Sequence, residues 1–139
     1  MRSRLRLPLV ILAAASLVGC RDALGPEAIP TAEISGVVLM SGEPLGKGWV
    51  EFHPIDGARG DIRSARINPD GSFRADRVAI GPNVIKLIDA PIQPPSAALL
   101  FSRASPIRRT IPAKPEEPIR IDVFQELLRY QATRDGRGA

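Results

Sequence analysis

The chain has few of the residue types on which most catalytic and metal sites depend. It contains one cysteine and one histidine among 139 residues, and aromatic residues make up only 4% of it. A single cysteine excludes an intrachain disulfide and a cysteine-rich zinc site. A single histidine excludes paired-histidine metal motifs and leaves a catalytic triad only one candidate base. The composition therefore predicts a protein that is not an enzyme and that holds neither a metal nor a cofactor.

The excess of basic residues comes mainly from the N-terminus. The chain carries 19 lysines and arginines against 15 acidic residues, but Arg2, Arg4 and Arg6 precede the first apolar run. Without residues 1–19 the balance is 16 to 15, which does not indicate the basic surface that a nucleic-acid-binding protein needs. The hydrophobic content of 44% is typical of a globular chain, and the length predicts one small domain.

The N-terminus has the pattern of an export signal. A positive segment over residues 1–6 precedes twelve largely apolar residues, 7–18, which are too few for a helix that spans a bilayer. Residues 17–20 read Leu-Val-Gly-Cys, which resembles the lipobox of bacterial lipoproteins. The resemblance implies cleavage after Gly19, a diacylglyceryl group on Cys20 and a membrane-anchored, extracytoplasmic protein, with Arg21 favouring the outer membrane. The alternative is an ordinary secretory signal that happens to end at a cysteine.

The rest of the chain divides into three parts. We expect a tether over residues 20–32, a β-sandwich over 33–124 and a short C-terminal turn and tail over 125–139, after the signal peptide at 1–19. Short runs of alternating or β-branched residues, separated by glycine, proline, aspartate and asparagine, predict an all-β sandwich of about seven strands. The runs cover residues 34–40, 48–53, 62–67, 72–74, 83–88 and 119–124. Turns are predicted at residues 68–71 and 81–82, and a long loop with an apolar centre at 89–106.

The order of several short motifs resembles the carboxypeptidase regulatory-like and transthyretin-like (prealbumin-like) domains, which are Ig-like sandwiches. The motifs are Ile-Ser-Gly-Val-Val at 34–38, Gly-Glu-Pro-Leu at 42–45, Gly-Trp-Val-Glu-Phe-His-Pro at 48–54, Asp-Gly-Ser-Phe at 70–73 and Gly-Pro-Asn-Val at 81–84. The order also resembles that of the small lipoprotein versions in planctomycete-type bacteria. The usual tyrosine after the late glycine is replaced here by Asn83 and Val84. The resemblance implies a β-sandwich module over roughly residues 33–124.

One predicted strand carries the candidate ligand-binding residues. Alternation places Trp49, Glu51 and His53 on the face opposite Val50 and Phe52. If Val50 and Phe52 face the core, Trp49 is either covered by a loop or the C-terminal turn, or exposed as a platform for a sugar ring or a partner. Glu51 and His53 are either an acid–base pair or neighbours by alternation alone.

The Arg108-Arg109 dipeptide also has two interpretations. It either meets anionic envelope polymers or lipid headgroups, or is a solvated surface pair. The function expected from the whole sequence is a lipid-anchored, non-catalytic module with a structural or binding role at the bacterial envelope. The alternatives are a carbohydrate-binding module that uses Trp49 and an accessory domain that acts in trans on an envelope hydrolase. The expected partners are the membrane, through Cys20, and an envelope polysaccharide or protein, but no nucleic acid.

Overall fold

The fold is described from a computed structural model, which covers residues 27–136. It has eight strands and two helices in the order β1 Thr31–Met40, β2 Glu43–Pro44, β3 Trp49–Pro54, β4 Arg63–Arg66, β5 Ser72–Ala79, β6 Gly81–Ile88, α1 Ser96–Phe101, β7 Arg108–Ile111, β8 Ile119–Asp122 and α2 Val123–Asp135. The predicted signal peptide, with Gly19 and Cys20, and most of the predicted tether lie outside the described residues.

The strands form two four-stranded sheets, which confirms the predicted all-β sandwich. In sheet A, β1 pairs antiparallel with β2 and β5 and parallel with β8. Sheet B is antiparallel throughout, in the order β4-β3-β6-β7. The chain passes from sheet B to sheet A through the predicted turn at residues 68–71, where Gly71 has a positive φ of 81° and its N–H donates to the Asn68 carbonyl. A glycine tolerates this conformation without steric cost.

The core lies between the two sheets and is filled by alternate side chains of their strands. Val50 and Phe52 of β3 are fully buried, as their alternation with polar neighbours predicts. Phe52 meets Phe73 of sheet A across the core, with ring centroids 6.1 Å apart. Gly36 of β1 lies against the Phe73 ring and the Ile119 carbonyl, so the sheet accepts no side chain at this position.

Several strand boundaries differ from those predicted, and β2 and β7 were not predicted as strands. β1 begins at Thr31, inside the predicted tether, because Ala32 is buried and pairs with Val78 of β5. β5 continues beyond residue 74 to Ala79, since it pairs along the length of β1. Gly81 and Pro82 belong to strand β6 rather than to a turn, and the bend occupies residue 80 just before them.

The segment predicted as a long loop contains a short helix that packs on the sandwich. Leu100 of α1 is fully buried, which agrees with the expected packing of the apolar centre, whereas Phe101 is largely exposed. The C-terminal segment forms the thirteen-residue helix α2, so the predicted short turn and tail is wrong over most of its length. A helix of this length is marginal alone, and it is held here by docking of Val123 and Glu126 on the sandwich. Neither helix within residues 27–136 is long and apolar enough to cross a membrane.

Candidate functional site

The outer face of strand β3 presents the three residues that the sequence singled out. Trp49, Glu51 and His53 point away from the core, because Val50 and Phe52 between them point into it. The Trp49 side chain is 43% exposed. The structure therefore leaves this indole open to solvent rather than covered by a loop or by the C-terminal segment.

Trp49 borders a groove of about 520 Å³ at one end of the sandwich. Its walls are residues 46–49, residues 66–69 and Asp89, and we call it the Trp49 groove. Arg66 lies directly opposite Trp49 in the β3–β4 ladder, and Ile88 lies opposite it in the β3–β6 ladder. The groove thus combines an aromatic surface with the cations Lys47 and Arg66 and the carboxylate Asp89.

Two glycines allow the walls of the groove to approach one another. A Cβ at Gly46 would lie 2.5 Å from the Pro69 carbonyl oxygen, and one at Gly48 would lie 2.6 Å from the Ile88 carbonyl oxygen. Gly48 also has φ +107°, a conformation that residues with side chains rarely adopt. The Gly48 carbonyl in turn accepts a hydrogen bond from the Ile67 N–H at 2.9 Å. Backbone packing therefore fixes the shape of the groove.

Glu51 and His53 form a hydrogen-bonded pair beside the groove. The His53 Nε2 atom lies 2.9 Å from Glu51 Oε2, and the Ser64 hydroxyl donates to Glu51 Oε1 at 3.4 Å. A serine activated by histidine must be hydrogen-bonded to the imidazole, whereas Ser64 contacts the carboxylate. The arrangement is a cross-strand polar cluster. No group of three His, Cys, Asp or Glu residues within 27–136 is placed to hold a metal ion.

The three predicted residues do not share one depression. Trp49 lies on the Trp49 groove, whereas His53 lies on a smaller depression of about 240 Å³ with Ile62, Val84 and Lys86. Glu51 separates them and is occupied by its bond to His53. A ligand seated on Trp49 would therefore meet Lys47, Arg66 and Asp89 before it met His53. Sequence reasoning missed these three, although an assigned β3–β4 register would have placed Arg66 beside Trp49.

The two arginines at residues 108–109, both in strand β7, have different surroundings. Arg108 is exposed, while Arg109 donates to Glu126 Oε1 at 2.6 Å and to the Arg120 carbonyl at 3.3 Å. Glu126 is almost fully buried and also accepts from Arg129 at 3.3 Å. The interpretation as a solvated pair is therefore wrong for Arg109, which joins strand β7 of sheet B to helix α2.

In the Trp49 groove, an exposed aromatic ring and charges of both signs meet beside close backbone contacts. These are the features by which proteins recognise molecules that present both apolar faces and polar groups. Comparison of the chain with protein-family models, curated proteins and solved structures finds no match, so the interpretation of the groove rests on its own geometry.

Proposed function

We propose that the protein is a lipid-anchored, extracytoplasmic module of the bacterial envelope, of the carboxypeptidase regulatory-like or transthyretin-like type, and that it is not an enzyme. The observation that carries this proposal is the Leu-Val-Gly-Cys sequence at 17–20, which ends a short apolar run and contains the only cysteine. The β-sandwich that begins at Thr31 supports it, because it leaves ten residues between Cys20 and the first strand. Acyl chains on Cys20 would hold this domain at a membrane surface, since each buried methylene contributes about 0.8 kcal/mol.

The anchor is tested by the mass of the mature protein. Expressed in a bacterium that processes lipoproteins, the chain should begin at Cys20 and exceed its polypeptide mass by a diacylglyceryl group and an acyl chain. Cys20→Ser should remain unmodified and leave the membrane fraction, whereas Ser16→Ala, in the same segment, should be processed normally. A mature chain that carries no lipid would refute the anchor.

A second candidate function, the binding of a polysaccharide, is favoured by the exposure of Trp49. An open indole stacks on the apolar face of a sugar ring, and Arg66, Lys47 and Asp89 supply donors and acceptors for its hydroxyl groups. Because Trp49 is the only tryptophan of the chain, its fluorescence reports on this one site. We expect its emission to change on titration with a soluble polysaccharide, and we expect Trp49→Ala to lose retention in affinity electrophoresis while Trp49→Phe keeps it.

A further inference from the structure

We propose that the Trp49 groove selects polysaccharides that bear carboxylate groups, with Arg66 as the residue that recognises the carboxylate. This inference rests on the polysaccharide-binding function proposed above and names the chemical class of its ligand. It is carried by the charges around the indole, the fixed shape of the groove and its position in the fold.

The charges beside Trp49 favour an anionic ligand. The ion pairs among residues 27–136 involve neither Arg66 nor Lys47, so both cations are available to a ligand. Asp89 is the one carboxylate in the groove wall. Asp70 adjoins the wall residue Pro69 but does not line the groove, and its Oδ1 accepts from the Ser72 hydroxyl and N–H at 2.6 and 2.9 Å. The wall itself therefore carries two cations and one carboxylate.

Arg66 is placed to act together with the indole. It is the direct cross-strand partner of Trp49, so their side chains leave the same face of sheet B as nearest neighbours. The planar guanidinium donates two parallel hydrogen bonds to a carboxylate, a geometry that the ammonium of Lys47 cannot reproduce. A sugar ring stacked on Trp49 would thus bring an equatorial carboxylate within reach of Arg66.

Backbone contacts hold the walls of the groove in place. Gly46 packs on the Pro69 backbone and Gly48 on the Ile88–Ala90 backbone, with the Ile67 N–H bonded to the Gly48 carbonyl. A wall that is fixed before binding loses little conformational entropy when a ligand arrives. Ordering of the groove therefore adds little to the free-energy cost of binding a polymer.

The groove also lies at the end of the sandwich that is remote from the N-terminus. Thr31 pairs with Ala79, close to Gly81 at the start of β6, whereas Trp49 pairs with Ile88 at the other end of that eight-residue strand. At about 3.3 Å per residue, the two ends are about 23 Å apart along the strand. A chain tethered through its N-terminus would thus hold the groove away from the tether and open to a polymer.

The test compares an acidic and a neutral polysaccharide on the full chain in a non-ionic detergent. We expect polygalacturonate to shift the Trp49 emission and to retard the protein in affinity electrophoresis, and we expect laminarin, a neutral glucan, to do so at least tenfold less strongly. Arg66→Gln should weaken polygalacturonate binding about tenfold, the value of one charge-assisted contact. Arg120→Gln, which removes an exposed arginine of sheet A, is the matched control and should leave binding unchanged.

The outcomes separate this inference from the function on which it rests. Equal binding of laminarin and polygalacturonate, lost in Trp49→Ala but unaffected by Arg66→Gln, would overturn the selectivity and leave polysaccharide binding in place. Equal weakening by Arg66→Gln and Arg120→Gln would also overturn it, because binding would then reflect overall charge alone. If neither polymer binds, both the selectivity and the polysaccharide-binding function fail.

Discussion

Adjacent residues of strand β3 differ in what their side chains contribute to stability. Val50 and Phe52 fill the core, whereas nearly half of the Trp49 surface is exposed to solvent. The large apolar side chain at position 49 is therefore not explained by the packing of the sandwich. Substitution of a tryptophan this exposed can therefore separate a role in recognition from a role in folding.

We expect Phe52→Ala to destabilise the protein by about 3–5 kcal/mol, because it removes a fully buried ring and leaves a cavity. Trp49→Ala should cost only about 1–2 kcal/mol, since it removes contacts on one side of an already solvated ring. Urea unfolding followed by far-UV circular dichroism measures both. Similar losses in the two variants would show that Trp49 is a packing residue.

The Asp70 carboxylate stabilises the turn between the two sheets. The Ser72 hydroxyl and then the Ser72 N–H donate to it, and these bonds hold the pKa of Asp70 below its ordinary value of 3.8. Since the folded pKa is the lower one, this stabilisation is complete above pH 3.8 and is lost as the pH falls through the lowered pKa.

A carboxyl NMR titration should therefore give Asp70 a midpoint below 3.8. Ser72→Ala removes the larger cause and should move the midpoint back towards 3.8, while the remaining N–H bond keeps it slightly lower. A midpoint at or above 3.8 in the unsubstituted protein would contradict the hydrogen bonds described for this turn.

At the scale of elements, helix α2 depends on one buried carboxylate. Glu126 is nearly inaccessible and is paired with the half-buried Arg109 and the exposed Arg129. Removing one partner of such a pair leaves a charge without compensation in a site of poor hydration. Helix α2 has little intrinsic stability, so the loss of this ion pair weakens its docking on the sandwich.

Glu126→Ala should therefore reduce the free energy of unfolding by about 2 kcal/mol. Glu33→Ala, which breaks the exposed ion pair between Glu33 and Arg74, should cost less than about 1 kcal/mol. The two variants compare one buried and one exposed ion pair in the same chain. Equal unfolding midpoints in urea would show that α2 does not depend on Glu126.

Strand β1 requires a glycine at position 36, where it pairs with β5 on one side and with β8 on the other. A Cβ at Gly36 would overlap the Ile119 carbonyl of β8 and the Phe73 ring at once. We expect Gly36→Ala to destabilise the protein by about 2–3 kcal/mol, because a backbone carbonyl cannot move aside as a side chain can. Ser35→Ala, at the exposed neighbouring position, should change stability by less than about 0.5 kcal/mol in the same measurement.

Six of the eight strands were predictable from sequence, because short runs of alternating or β-branched residues mark them, but β2, β7 and the two helices were not. The spacing of Phe124, Leu127 and Leu128 in the sequence is that of one apolar helical turn, yet Phe124 and Leu128 are exposed and Leu127 alone of the three packs on the core. The helix docks instead through Val123 and Glu126. Glu126 is buried because Arg109 of strand β7 neutralises its charge. Burial of this kind leaves no signal in hydrophobic periodicity.

The candidate site was predictable to the extent that it depends on one strand. Period-two alternation placed Trp49, Glu51 and His53 on the outer face, where they lie. The walls of the Trp49 groove come from strand β4 and from the segment after β6. Their positions depend on strand register and on two glycine contacts between distant parts of the chain, which alternation within one strand does not determine.

At the scale of the whole molecule, the start of strand β1 and the Trp49 groove lie at opposite ends of the sandwich. We expect Trp49 to show weak energy transfer to dansyl-labelled lipid headgroups when the lipidated protein is held on vesicles. A tryptophan moved to the N-terminal end, by Ile29→Trp in a Trp49→Phe background, should show stronger transfer, since Ile29 is exposed and adjoins the tether. Equal transfer from both positions would show that the domain lies flat on the membrane.

The parallel pairing of β1 with β8 has a consequence for how the chain folds. Among residues 27–136 these are the first and last strands, so sheet A gains its fourth strand only after residues 119–122 are available. Such high contact order slows folding and leaves an unpaired strand edge open in the meantime. A chain that crosses a membrane N-terminus first would therefore emerge with β1 incomplete, and it would need protection from edge-to-edge aggregation until residues 119–122 had arrived.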